Sequence, residues 1–394
     1  MKKNTILILL IILVLLIIIH LVVQQKKVVY DLTGGFVSLL PKDFKTDDIA
    51  KIEIFRGSKP NEKVVLKNEL GEWKVASAYS YKANKDKMDR FLNDIKGLEG
   101  EQRTSSDKVF DEFQISDEKG IHLILLNKDD KPIVHYVLGK PGPSYGDCFL
   151  RYNDKKDIYL ASKNLVSHIG VYGEDVTKVP ENKTWLDLNV FKIDREKVVM
   201  VTVHKPEGEM VLEKEFIGEA KEGEKKNELS LKPEEKEETP KPKEYKWLLT
   251  KPEKFEPDKN KAEQIASSLS NIYATDAVQR DNPESYGLKD PQYYAILKLN
   301  DDTEKKLLFG IKKEDTGDYF FKLSDSDDIY LVRSNTFDNI FKKEIKDLKP
   351  EEKKPEVKKP ETTQANRDVK KSIEKQEKVK ADTKKTTTEK KDRS

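Results

Sequence analysis

Four histidines, His122, His135, His168 and His204, and one cysteine, Cys148, are the side chains from which acid–base, nucleophilic or metal chemistry would start. An imidazole can act as a base or a ligand near neutral pH, but only with partners held at a fixed spacing. None of the four has a second ligand-type residue at such a spacing, and His20 stands alone in an apolar run. A single cysteine excludes an intramolecular disulfide, a thiolate zinc site and a CxxC redox pair. Asp325, Asp327 and Asp328 form a carboxylate cluster that could attract Ca²⁺, yet the glycine and distal glutamate of a calcium loop are absent, so it reads as a hairpin tip. No phosphate-cradling loop, nucleophile elbow or H-E-x-x-H helix occurs. The expectation is therefore a non-enzyme with no catalytic, cofactor-binding or metal-binding residues and no cofactor.

Positioning such side chains takes elements with a core, and the composition says where a core can form. The chain has 394 residues, 37% charged and 36% apolar, with a net charge of +2 that gives no argument for nucleic acid. Its apolar residues are unevenly spread. Residues 6–23 form an 18-residue run broken only by His20. As a helix this run would be about 27 Å long, enough to cross a bilayer, and it lacks the small-residue cleavage site of a signal peptide. The sequence thus predicts an N-terminal transmembrane anchor over residues 1–27 and a linker over 28–41. The N-terminus is expected in the cytoplasm, and the bulk of the chain on the other side of the membrane. Residues 349–394 hold 14 Lys and two Arg against seven Glu and three Asp, with no aromatic residue to stack on a base. They read as a basic, disordered tail.

Between anchor and tail lies an internal duplication. Residues 146–160 match residues 317–331 without a gap, with eight of 15 positions identical. Working outward, Trp73 meets Trp247. Met88, Phe91, Leu92, Ile95 and Leu98 meet Ala262, Ile265, Ala266, Leu269 and Ile272 as the buried face of an amphipathic helix. Ile121 and Leu123 are set against Tyr294 and Ile296, which places His122 opposite Ala295. The offset lengthens within copy two, placing an insertion in the polar stretch 214–244, which reads as disordered loop. Alternating strands and Gly, Asp and Asn turns surround one helix per copy. The expected class is α+β: two tandem repeats of an antiparallel meander with a packed amphipathic helix, over residues 42–188 and 189–348, after one transmembrane helix. The residues that recur, Trp73 and Trp247, Tyr159 and Tyr330, Gly146 and Gly317, Asp157 and Asp328, are core and turn types.

The stretch Tyr286-Gly287-Leu288-Lys289-Asp290-Pro291, followed by strands ending in Asp328-Ile329-Tyr330-Leu331, resembles the YGL-x-x-P signature of the bacterial domain-of-unknown-function family 4340. The likeness covers residues 42–348 in two copies, and the segment from Phe44 to Ile54 is similar to the family's opening pattern. Copy one departs from it, with Phe113-Gln114-Ile115-Ser116-Asp117-Glu118 in place of the signature. The resemblance implies membrane-anchored envelope proteins, often encoded beside ABC-transporter or gliding-type components, and implies no reaction. The functional expectation is an anchored extracytoplasmic interaction or accessory protein, attached to the membrane through residues 6–23, with protein partners in the envelope and no nucleic-acid or small-molecule partner. The alternatives are a module binding cell-wall glycan or exported polysaccharide, and an enzyme of unknown class.

Overall fold

The computed structural model describes residues 35–171, 175, 177–219 and 243–350. Two antiparallel sheets make up most of it. The first contains β1 (Val37–Ser38), β2 (Lys51–Arg56), β3 (Val64–Glu69), β4 (Glu72–Val75), β5 (Tyr81–Lys82), β6 (Glu99–Thr104), β7 (Ile121–Leu126), β8 (Pro132–Pro141), β9 (Cys148–Tyr152) and β10 (Ile158–Ala161). Its order is β1-β6-β10-β9-β8-β7-β2-β3-β4-β5. The second is built from β11 (Asn189–Lys192), β12 (Val198–Lys205), β13 (Gly208–Glu219), β14 (Lys243–Lys251), β15 (Asn271–Val278), β16 (Tyr293–Leu299), β17 (Glu304–Lys312), β18 (Tyr319–Leu323) and β19 (Ile329–Val332). The order β11-β15-β19-β18-β17-β16-β12-β13-β14 reproduces the first sheet strand for strand, apart from β5. Both sheets lie within one compact unit.

The helices are α1 (Lys85–Lys96) and α2 (Leu165–Ile169) beside sheet 1, and α3 (Lys259–Ser270), α4 (Ser334–Phe341) and α5 (Ile345–Leu348) beside sheet 2. Asn84 caps α1 by accepting a hydrogen bond from the Lys87 N–H, and Asp258 caps α3 in the same way from Lys261. Met88, Phe91 and Ile95 on α1, and Ala262, Ile265, Ala266 and Leu269 on α3, form the stripes that cover one face of each sheet. Each helix carries the chain from one edge of its sheet to the other, so that β6 and β15 land beside β10 and β19.

That crossing corrects the expected class. The protein is mainly antiparallel β, with nineteen strands against five short α-helices among the described residues, and is not α+β. Nor is either sheet a simple meander. β6 reads Glu-Gly-Glu-Gln-Arg-Thr and shows no apolar alternation, so it escapes periodicity analysis; its backbone pairing with β10 and β1 is what holds it. The transmembrane helix is likewise unsupported. Residues 6–23 lie outside the described residues, and among the described residues no helix is long and apolar enough to cross a membrane. The tail beyond residue 350 is also outside them.

Two details of the duplication change. Leu123 and Leu125 pair with Ile54 and Ile52, whereas Ala295 and Leu297 pair with Val203 and Val201. The equivalent of Leu123 is therefore Ala295 and not Ile296. A one-residue slip moves a whole strand to the other face, and it puts His122 opposite Tyr294 and not Ala295. The insertion falls at a hairpin tip. Leu66 corresponds to Leu212 and Val75 to Leu249, so the offset grows from 146 to 174 between β13 and β14. These two strands run to Glu219 and from Lys243, pairing residues expected to be loop; residues 220–242 are outside the described set.

The signature turn exists in both copies. Gln114 (φ 57°) and Gly287 (φ 68°) share the left-handed conformation, Ile115 donates to the Phe110 carbonyl, and Leu288 donates to that of Pro283. Each loop crosses its sheet at a glycine: Lys140 N–H donates to the Phe113 carbonyl beside Gly139, and Ile311 N–H to that of Tyr286 beside Gly310. A Cβ on either glycine would run into that carbonyl oxygen. Gly310→Ala is expected to cost about 1–3 kcal/mol in urea unfolding, whereas Gly146→Ala, with open space around it, should stay within about 0.5 kcal/mol.

Candidate functional site

The side chains singled out by chemistry do not converge. Cys148 is fully buried, its thiol donates to the Lys163 carbonyl at 3.3 Å, and burial pushes its pKa up to about 11. His168 pairs with Asp94 at 2.7 Å on the α1 side of sheet 1. Asp325 is bound to Lys305 and Asp328 to Arg280, which separates the carboxylate cluster into two ion pairs. Among the described residues no three potential ligands gather around a common point.

One pair does meet. His122 on β7 and His135 on β8 touch through Nδ1 and Nε2 at 2.8 Å on the loop-covered face of sheet 1, and the Nε2 of His122 lies 2.8 Å from the Asp117 carbonyl. A carbonyl only accepts, so His122 carries its proton on Nε2, and its Nδ1 lone pair accepts from the Nε2–H of His135. Both nitrogens of His122 are thereby engaged, which leaves it no lone pair for a substrate proton or a metal. Arg151, almost wholly buried, pins the loop above them: it donates to the Ile115 carbonyl at 2.8 Å and to that of Asn153 at 2.7 Å, and it is paired with Asp117. Burial, the partner imidazole and the nearby guanidinium lower the pKa of His135 to about 4, and burial also lowers that of His122. His122 stacks on Phe55 across the strands with centroids 4.8 Å apart, and at the matching place in sheet 2 His204 stacks on Tyr294 at 4.4 Å. Ring and imidazole have exchanged strands between the copies.

The site that sequence reasoning missed is the junction between the repeats. Tyr81 on β5 reaches into the end of sheet 2, where its hydroxyl accepts from the Ile329 N–H at 2.7 Å and lies 2.9 and 2.8 Å from the Val278 and Ile329 carbonyls. Its ring, 1% exposed, packs edge-on against Tyr330 and under the Arg280 guanidinium, 3.9 Å from the ring centroid. Arg280 also binds Asp328 at 2.8 Å and the Tyr79 carbonyl at 2.5 Å. Burial pushes the Tyr81 phenol up to about 12, so it stays protonated. The position equivalent to Tyr81 in copy two is Phe255, which pairs with Leu249 as Tyr81 pairs with Val75. The loss of that hydroxyl between aligned copies is the sequence signal that marks the interface. Trp185, fully buried against Phe91, anchors the connector, and its carbonyl accepts from Asn84 at the start of α1.

Beside the junction opens a cleft of about 750 Å³, walled by the start of β3, the turn before β5, the connector 179–183 and β15. A family profile described as a domain of unknown function, DUF4340, matches residues 73–242 and 247–392. The chain belongs to the DUF4340 family. No curated protein and no solved structure matches it. Both DUF4340 segments start at an equivalent tryptophan, Trp73 on β4 and Trp247 on β14, and thus begin inside a sheet and not at its boundary.

Two measurements check this geometry. Tyr81→Phe leaves the buried Ile329 N–H without its acceptor and should lower the stability of the DUF4340 protein by about 1–3 kcal/mol in denaturant unfolding. For the histidine pair, folded pKa values lie below the unfolded value near 6.5, so the unfolded chain takes up protons first as the pH falls. This contribution is complete above about pH 6.5 and is lost toward pH 4. His135→Gln should flatten that part of the stability–pH curve, and an unchanged slope would show that the pair does not titrate as described.

Proposed function

We propose that this DUF4340 protein is a non-catalytic interaction protein of the bacterial cell envelope, an accessory to a transport or gliding-type complex. The observation that carries the reading is the Tyr81–Arg280 junction, which fastens two like sheets into one body. Such a body suits holding a partner in fixed geometry. The reactive side chains favour the same reading: Cys148 is buried, and His122 is saturated by His135 and Asp117. Attachment to the membrane is supported by the apolar sequence of residues 6–23, and the envelope setting by what the family resemblance implies.

Detergent extraction of the full-length tagged chain from membranes, followed by identification of co-purifying proteins, tests the reading. The expected outcome is recovery with transporter or gliding-type subunits in constant stoichiometry, and loss of that recovery when residues 1–34 are removed. A chain that elutes alone from membranes, or that is recovered wholly in the soluble fraction, contradicts it.

A further inference from the structure

The cleft at the junction has the chemistry of a ligand site, and it goes beyond the accessory reading without depending on it. Its volume falls in the usual range for ligand pockets, about 300–1,000 Å³. Most of its charged side chains already stand in ion pairs. Lys63 is bound to Glu53, Glu62 to Lys59 and Lys183 to Glu181. What remains uncommitted is the Asn61 amide, the Tyr79 hydroxyl and one oxygen of the Asp276 carboxylate, whose other oxygen accepts from the Ala277 N–H. A lining whose cations are paired off offers little to a phosphate, and one whose carboxylates are mostly paired off offers little to a cation.

A second observation singles out Tyr79. The residue is 50% exposed and lines the cleft. It and Ser80 both adopt positive φ, 56° and 57°, which costs energy for residues with a Cβ. Neither the buried Tyr81 wedge nor the turn itself requires an aromatic side chain there. The equivalent residues in copy two, Glu253 and Lys254, have neither the aromatic ring nor positive φ. Arg280 donates to the Tyr79 carbonyl and so holds the strained turn with its ring presented to the cleft.

We infer that this cleft binds a neutral oligosaccharide, with Tyr79 as the platform on which a sugar ring stacks and with Asn61 and Asp276 hydrogen-bonding its hydroxyls. An aromatic face beside uncharged or acceptor groups suits a polyhydroxylated, uncharged ligand, which has apolar C–H faces and polar edges.

The test is isothermal titration of the full-length chain with chitohexaose, cellohexaose and maltohexaose in turn, using wild type, Tyr79→Ala, Tyr79→Phe and Asn61→Ala. Circular dichroism melting of each variant shows whether the fold is retained. At least one hexasaccharide should bind wild type with Kd below about 1 mM, Tyr79→Ala should weaken it about tenfold, and Tyr79→Phe should stay within about threefold, because the ring face and not the hydroxyl does the stacking. Absence of binding for all three sugars overturns the inference. So does binding that Tyr79→Ala leaves unchanged while the variant melts like wild type. If Tyr79→Ala fails to fold, loss of affinity in folded Asn61→Ala supports the site, and full affinity there contradicts it.

Discussion

A single phenol hydroxyl, that of Tyr81, closes the end of a sheet to which it does not belong. It takes the place of a strand's hydrogen-bonding groups, accepting from the Ile329 N–H and contacting the carbonyls of Val278 and Ile329. Such buried backbone groups must find partners, and the cost of leaving one bare exceeds what a typical exposed contact contributes. The half-exposed Arg280–Asp328 pair adds little by itself, since charges that water reaches are screened. Its larger effect is geometric: the guanidinium covers the Tyr81 ring and holds the Tyr79 carbonyl. Wedge, cover and strained turn are one assembly, and the cleft opens beside them.

The duplication shows which features a DUF4340 sheet needs and which it varies. Strand order, capped helix, glycine crossing and left-handed signature turn recur, with Gln114 bearing the conformation that Gly287 adopts more cheaply. The stacked ring-and-imidazole pair recurs with its members on exchanged strands, filling the same cross-strand space in each copy. Differences gather at two places. One is the β13–β14 tip, where copy two carries its extra residues. The other is β5, a strand found among the described residues in copy one alone, where the chain makes its junction.

How much could be read beforehand follows from where the signals lie. The helices carry 3.6-residue stripes and cap residues, so α1 and α3 were legible, as was the duplication in residues 146–160 and 317–331. The strand β6 was not, because a polar segment held by backbone bonds leaves no hydrophobic pattern, and its omission made the class look α+β. The pairing of Ile121 with Tyr294 went wrong by one residue, since neighbouring apolar residues on β7 and β16 fit either register until cross-strand partners are known. The lack of a phosphate-cradling loop, nucleophile elbow or H-E-x-x-H helix is a property of the sequence itself. The junction could not be read from it, because a tyrosine and an arginine 199 residues apart in a charge-rich chain stand out only where the copies differ, at Tyr81 against Phe255.

Whether Tyr81 makes one cooperative body of two sheets is decided by calorimetric unfolding of the full-length chain against Tyr81→Ala. Wild type should unfold in a single transition whose calorimetric and van't Hoff enthalpies agree, and Tyr81→Ala should separate this into two transitions, one for each repeat. Two transitions already present in wild type, or one unsplit transition in the variant at an unchanged midpoint, would contradict the account.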